Sequence, residues 1–267
     1  MKYCVSGRQQ KSILSQADEI KIMYQDKEKL IDYIEEFGDK TFILEIPKEI
    51  TSKEINWDLY KTYSEKVNFI FCLDNLNLAK DCRENNIKFY WAYPVFSWYE
   101  FRSIIMLKPC YISLGAPLSF SLKKVKEKTT IPIRLCPNLA YDAYIPRENG
   151  LYGTWIRPED IDIYEDYVAV CDFVVTELSK EATLLHIYKE KKQWPGNLHL
   201  LLTNFDICVD NRALPEEMGK IRVNCGQSCM EDGLCDFCQV AIKFANIIKD
   251  IHHTNNKIIS VESIKEN

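Results

Sequence analysis

The chain has 267 residues, with 34 Lys and Arg against 39 Asp and Glu, a formal net charge of −5. Hydrophobic residues make up 46% and charged residues 27%, the balance of a soluble globular chain that can bury a sizeable core in one large domain or two modest ones. The mild acidity argues against broad, sequence-independent nucleic-acid binding, which needs a basic face, and leaves room for a local basic pocket.

The opening residues, MKYCVSGRQQKSIL, lack the apolar core of a secretion signal. No apolar run approaches the ~20 residues needed to span a bilayer. The expected setting is therefore reducing cytoplasm, where disulfides are rare. The unusual number is 11 cysteines against 9 glycines and 10 prolines, and an odd count fits a full disulfide framework poorly.

Up to residue 160 short apolar runs alternate with amphipathic stretches. The runs lie at 3–6, 20–24, 41–46, 68–73, 87–93, 110–114, 131–135 and 153–157. Most are β-branched or aromatic and bounded by Asp, Asn, Pro or Gly, as buried strands are. Between them, 26–37, 57–66, 75–85, 97–107 and 119–128 read as helices, several opening on a cap-capable Asp, Ser or Asn. The connections at 8–19 and 140–151 are abbreviated or loop-like. The strand-then-helix repeat of about 20–25 residues is that of βα units in a parallel sheet.

Eight such strands predict an α/β fold, a (β/α)8 TIM-like barrel over residues 1–160. An open doubly wound sheet shares the rhythm, but no Gly-rich nucleotide turn follows the first strand. Residues 161–267 are expected to form a C-terminal helical extension packed on the barrel. Its predicted parts are helices at 160–175 and 179–192, the second capped by Ser179, then an extended 198–202 and a helix at 237–252.

Within this extension VNCGQSCMEDGLCDFCQ places Cys225, Cys229, Cys235 and Cys238 in a C-x3-C-x5-C-x2-C pattern, with Gly226 and Gly233 allowing tight turns. Four thiolates so close together suit tetrahedral Zn²⁺ or an iron–sulfur cluster, and the spacing leaves both open. Two local disulfides or free buried thiols are the bland alternative. The other cysteines, Cys4, Cys72, Cys82, Cys110, Cys136, Cys171 and Cys208, are scattered and read mostly as small apolar residues.

In a barrel, function lies at the C-terminal ends of the strands. Those ends supply Glu45, Asp74, Arg134, Asn138 and Arg157 as candidate catalytic residues. The arginines suit a carboxylate or phosphate group, and Glu45 or Asp74 a general base. Each also has a structural reading: Glu45 as a rim residue or as the buried partner of Arg134, Asp74 as a helix cap. His186 reads as a core or interface histidine. No His-x3-His, G-x-S-x-G, Walker or dinucleotide fingerprint occurs, which removes the common zinc proteases, serine hydrolases, P-loop NTPases and Rossmann dehydrogenases.

The stretches YISLGAPLSF (111–120), IPIRLCPNLAYDAYIPRENGLYGTWIRPEDI (131–161), ATLLHIY (182–188) and QWPGNLHLLLTNF (193–205), with the cysteine cluster, resemble a family of uncharacterised proteins of bacteriophages and prophages of gut bacteria. More distantly, the order of a strand ending in Leu-Gly-Ala-Pro, an Arg/Asn strand and an Arg-Pro-Glu-Asp segment is similar to the collagenase-like peptidase family. That likeness implies a barrel, a cysteine-bound iron–sulfur cluster and links to RNA or ubiquinone hydroxylation. The cysteines of that family are more widely spaced and its His-Gly-Ala-x-Cys motif is missing here, so its ligands are not carried over. Two functions follow as expectations. One is an enzyme in the host cytoplasm that acts on an anionic substrate or modifies RNA or small molecules, with a zinc or iron–sulfur site. The other is a non-catalytic virion-associated or host-interaction protein, binding a phage or host protein and stapled by structural zinc.

Overall fold

The computed structural model describes residues 1–139, 154–175, 177–196, 198–202, 211–214 and 216–224. Eight strands close into a parallel barrel in sequence order, β1 (Lys2–Ser6), β2 (Glu19–Met23), β3 (Thr41–Glu45), β4 (Asn68–Leu73), β5 (Lys88–Val95), β6 (Tyr111–Leu114), β7 (Ile133–Leu135) and β8 (Val168–Asp172). Strand β1 pairs with β8 through Cys4 opposite Asp172, and with β2 through Cys4 opposite Glu19. The predicted α/β barrel is present.

The helices around it are α1 (Lys11–Leu14), α2 (Leu30–Glu36), α3 (Trp57–Lys66), α4 (Leu76–Glu84), α5 (Trp98–Met106), α6 (Ala116–Ser119), α7 (Leu122–Lys128), α8 (Ile161–Tyr164), α9 (Leu178–Glu190) and α10 (Met218–Val223). Their starts follow the capping chemistry of the sequence. Asn56 and Asn75 accept backbone N–H bonds at the heads of α3 and α4, and Ser97 with Glu100 forms a capping box on α5. The stretch at 26–37 is helical only from Leu30, after a 3₁₀ turn.

Both faces of the strands are buried, as a barrel inside a helical ring requires. Phe42, Leu44, Phe69, Phe71, Phe89 and Ile112 point outward into the apolar layer under the helices. Cys4, Ile43, Ile70, Cys72, Tyr90, Tyr111 and Val170 form a separate, smaller cluster. Alternation along each strand separates the two sets.

Four expectations are corrected. The eighth strand is not 153–157 but Val168–Asp172, so the barrel runs past residue 160 into what read as extension. Trp155 and Ile156 are buried like strand residues, but their segment joins no ladder. Ile156 N–H donates to Pro137 O, and Pro158 then ends the extended run. The helix predicted over 160–175 ends at Tyr164 and gives way to VAVCD, whose β-branched residues fit the pleat. Helix α9 starts one residue before Ser179 without a side-chain cap, and Leu198–Leu200 is a 3₁₀ turn rather than an extended run. His186 is exposed on α9, 3.5 Å from Glu190, not in the core.

Beyond the barrel, Leu184, Leu185, Tyr188, Leu198, Leu201, Leu202, Leu214, Met218 and Val223 join the outer apolar layer. Tyr3 donates its hydroxyl to Tyr188 O at 3.0 Å, fastening α9 over β1. The described part of the extension is thus packed on the barrel. Cys225, Cys229, Cys235 and Cys238, with Cys208 and the helix expected at 237–252, lie outside the described residues. No helix among the described residues is long and apolar enough to cross a membrane.

Candidate active site at the barrel mouth

Strand β2 reads Glu-Ile-Lys-Ile-Met. Ile20 and Ile22 belong to the outer apolar layer, so Glu19 and Lys21 project into the barrel. Arg134 on β7 and Asp172 at the end of β8 project there too, and the four groups form one chain of ion pairs. Arg134 donates from NH1 to Glu19 Oε2 at 2.5 Å and from NH2 to Asp172 Oδ2 at 3.3 Å. Lys21 Nζ donates to the same Asp172 oxygen at 2.6 Å.

The chain runs from the core to the open end. Glu19 and Arg134 have side chains 0% and 1% exposed, while Asp172 and Lys21 reach 14% and 22%. Two carboxylates against two cations make the group neutral overall, which a low-dielectric interior demands. The Arg134 guanidinium lies 4.5 Å from the Tyr90 ring centre and 5.3 Å from that of Tyr111, so the rings receive its faces. Its Nε has no hydrogen-bond partner among the described residues. The Tyr111 hydroxyl donates to Glu19 Oε1 at 3.4 Å.

These contacts fix the charge states. Burial pushes the Asp172 carboxyl up, but Lys21 and Arg134 beside it outweigh burial and hold it below the usual carboxylate range. Burial works to discharge Lys21; the adjacent Asp172 overcomes it and keeps the ammonium protonated well beyond the ordinary lysine range. The mouth therefore presents a carboxylate and an ammonium side by side, with only one of the three ammonium donors used by Asp172. Burial raises the Cys72 thiol to about 12, with Lys21, which pulls it down, and Glu45, which pushes it up, as the nearest charges.

Of the residues expected from the sequence, Arg134 is at the centre, but its carboxylate partners are Glu19 and Asp172 rather than Glu45. Glu45 ends β3 half-buried, with no ion pair among the described residues, and lines a cavity of about 330 Å³ with Pro47, Lys48, Cys72, Asp74 and Ala92. Asp74 is in the same wall, 3.1 Å from Lys48 Nζ; the cap of α4 is Asn75 beside it. Asn138 is a clamp: its Nδ2 donates to Val174 O at 2.5 Å and its Oδ1 accepts from Val174 N at 3.0 Å, tying the ends of β7 and β8 together.

Arg157 is corrected more sharply. It follows no strand, is 3% exposed, and grips Asp160 through Nε and NH2 at 2.6 and 2.9 Å. Its NH2 also donates to Glu216 O at 3.2 Å. It joins the segment after residue 154 to the one before α10, with its Nε and NH2 donors occupied there.

Glu19, Lys21, Asp172 and Glu181 were missed. The first three were legible as polar residues alternating with apolar ones in EIKIM and VAVCD. Glu181, on α9, accepts from Ser6 N at 2.9 Å and Gln9 Nε2 at 2.6 Å, bringing that helix over the end of β1. Burial raises its carboxyl despite these donors. Around the opening Leu76, Tyr93, Val174 and Leu178 expose 52%, 44%, 40% and 41% of their surface, an apolar rim above a charged floor. Among the described residues no three His, Cys, Asp or Glu side chains are grouped to hold a metal ion.

No protein-family profile matches the chain, and no curated protein matches it. Two solved structures resemble it in outline. One is a cube-shaped, highly porous protein cage designed by fusing symmetric oligomeric domains, with 8% identity over 71% of this chain and 70% of that one, at a TM-score of 0.44. The other is thiamine phosphate pyrophosphorylase from Pyrococcus furiosus, with 12% identity over 71% of this chain and 95% of that one, at a TM-score of 0.31.

Proposed function

We propose that the chain is a barrel enzyme acting at the mouth on a small substrate that carries an anionic group. The observation that supports this most is the Lys21–Asp172 pair, which sits at the carboxyl ends of the strands and is backed by Arg134 and Glu19 in the core. Desolvating four charges costs several kcal/mol per ion before pairing offsets it. Apolar side chains would fill the same volume at lower cost, and that excess of buried charge supports reading the network as a site.

In this reading Lys21 receives the anionic group on its two remaining N–H donors. Asp172 keeps it protonated and stands as the carboxylate beside the bound group, placed to accept a proton. Arg134 orients Asp172 and is a positioning residue. The apolar rim excludes water from a small ligand once it is seated.

The cysteines belong to the same proposal. Four thiolates within fourteen residues are the donor set of a tetrahedral zinc or an iron–sulfur cluster, held by Cys225, Cys229, Cys235 and Cys238. Zinc there would supply structural cross-linking, a cluster electron transfer.

Ligand-observed NMR with butyrate and inorganic phosphate as probes tests the mouth. Wild-type protein gives saturation transfer to at least one probe, and Lys21→Met abolishes it while circular dichroism stays unchanged. Equal transfer in wild type and Lys21→Met, or none to either probe in wild type, removes the proposal.

A further inference from the structure

The mouth contains more negative charge than the anion-binding reading needs. Lys21, Arg134 and Lys48 are its cations; Glu19, Asp172, Asp74, Glu45 and Glu49 face them as carboxylates. Each cation is matched: Arg134 by Glu19 and Asp172, Lys21 by Asp172, and Lys48 by Asp74. Glu45 and the exposed Glu49 are left over, with no ion pair among the described residues; of the two, Glu45 is the one on the inner wall, with an opening of about 330 Å³ in front of it. A purely anionic ligand on Lys21 would add like charge to this wall.

The register fixes the spacing. Lys21 pairs with Ile43 across β2 and β3, and Glu45 lies one inward-facing position further along. A strand spacing of ~4.8 Å and a two-residue rise of ~6.6 Å separate their Cα atoms by about 8 Å. Cys72, opposite Glu45 across β3 and β4, belongs to the inner cluster, so Glu45 shares the inward face of the barrel with Lys21.

We propose that the mouth takes a small zwitterion, an amino acid with its carboxylate on Lys21 and its ammonium on Glu45. This rests on the anion-binding role of Lys21 and adds the second contact. A zwitterion brings no net charge to the wall while satisfying both unmatched groups, the spare ammonium donors and the leftover carboxylate. Both charged ends must fit on the inward face that carries Lys21 and Glu45, which calls for a short chain between them.

Related probes separate the contributions: 4-aminobutyrate carries both charged groups, butyrate lacks the ammonium and butylamine lacks the carboxylate. By ligand-observed NMR titration of the full chain, 4-aminobutyrate binds wild type at least about tenfold more tightly than butyrate, and Glu45→Gln brings the ratio near one. Asp74→Asn serves as a second variant, since it frees Lys48 and leaves Glu45 in place; there the preference for 4-aminobutyrate persists. If wild type binds butyrate as well as 4-aminobutyrate, the zwitterion is wrong and the anion site stands. If butylamine matches 4-aminobutyrate and Lys21→Met changes neither, the ligand is a plain cation and both readings fall. Both also fall if no probe binds.

Discussion

Arg134→Met is the sharpest test of the buried network. The substitution keeps side-chain volume roughly constant and removes the only cation among the described residues within hydrogen-bond reach of Glu19, a carboxylate with 0% exposure at 2.5 Å from the guanidinium. Breaking a buried pair by deleting one partner typically costs about 3–5 kcal/mol, because the remaining charge stays desolvated. Loss of the guanidinium from between Tyr90 and Tyr111 adds about 1 kcal/mol. Urea unfolding at pH 7 reads the sum as a lower midpoint with an unchanged slope. The paired variant Arg134→Met with Glu19→Met removes both charges and recovers most of the loss, since apolar pairs of similar volume are neutral or better in such places. A single-variant cost under about 1 kcal/mol, or a double variant no more stable than the single, would refute the view that Arg134 is there to neutralise Glu19.

Two further outcomes follow from the geometry, and a third from the proposed cysteine site. The Asp172 carboxyl is held below its usual range in the fold, so its stabilising contribution is present above the unfolded value of about 3.9 and is lost as pH falls through the lower folded value. Asp172→Asn therefore flattens the acid limb of a stability-versus-pH curve, and an unaltered limb counts against the pairing. Asn138→Ala breaks both bonds to the Val174 backbone and costs roughly 1–3 kcal/mol by thermal or chemical unfolding; a neutral effect would mean the ends of β7 and β8 are held by packing alone. Protein purified anaerobically contains one zinc, or iron with acid-labile sulfide, and Cys229→Ser loses it. Full metal content in that variant overturns the ligand assignment.

Seven of the strands were legible because aliphatic and aromatic runs bounded by turn residues mark buried parallel strands whatever their neighbours do. The eighth was misplaced for a physical reason. GTWIR carries the same local signal as a strand, but Trp155 and Ile156 are buried by the outer layer and not by a ladder, and sequence alone does not say which element supplies the burial. VAVCD carried a better β signal but followed directly on DIDIYEDY, whose spacing is helical through Tyr164. The site suffered from reading strands as runs rather than as faces. Arg134 alternates with Ile133 and Leu135, which turns it to the opposite face of β7, and the same alternation in EIKIM turns Glu19 and Lys21 inward. The partner of Arg134 was sought at Glu45, a plausible carboxylate, because the cross-barrel position of Glu19 depends on closure. Arg157 was carried along with its misplaced strand.

The ion-pair chain also constrains how the barrel can be assembled. Glu19 and Lys21 sit on β2, Arg134 on β7 and Asp172 on β8, so the Arg134–Glu19 pair spans 115 residues of sequence. The first four strands alone would carry Glu19, Lys21 and Glu45 without the guanidinium that Glu19 meets in the closed barrel, and the last four a guanidinium with one carboxylate between β7 and β8. Neither half can dehydrate its inner face cheaply until the other arrives. Two copies of the first half would leave no arginine at the centre to meet the buried Glu19. The charges that serve the mouth thus act as a lock on wholeness, tying the chemistry of the site to the completion of the closed sheet.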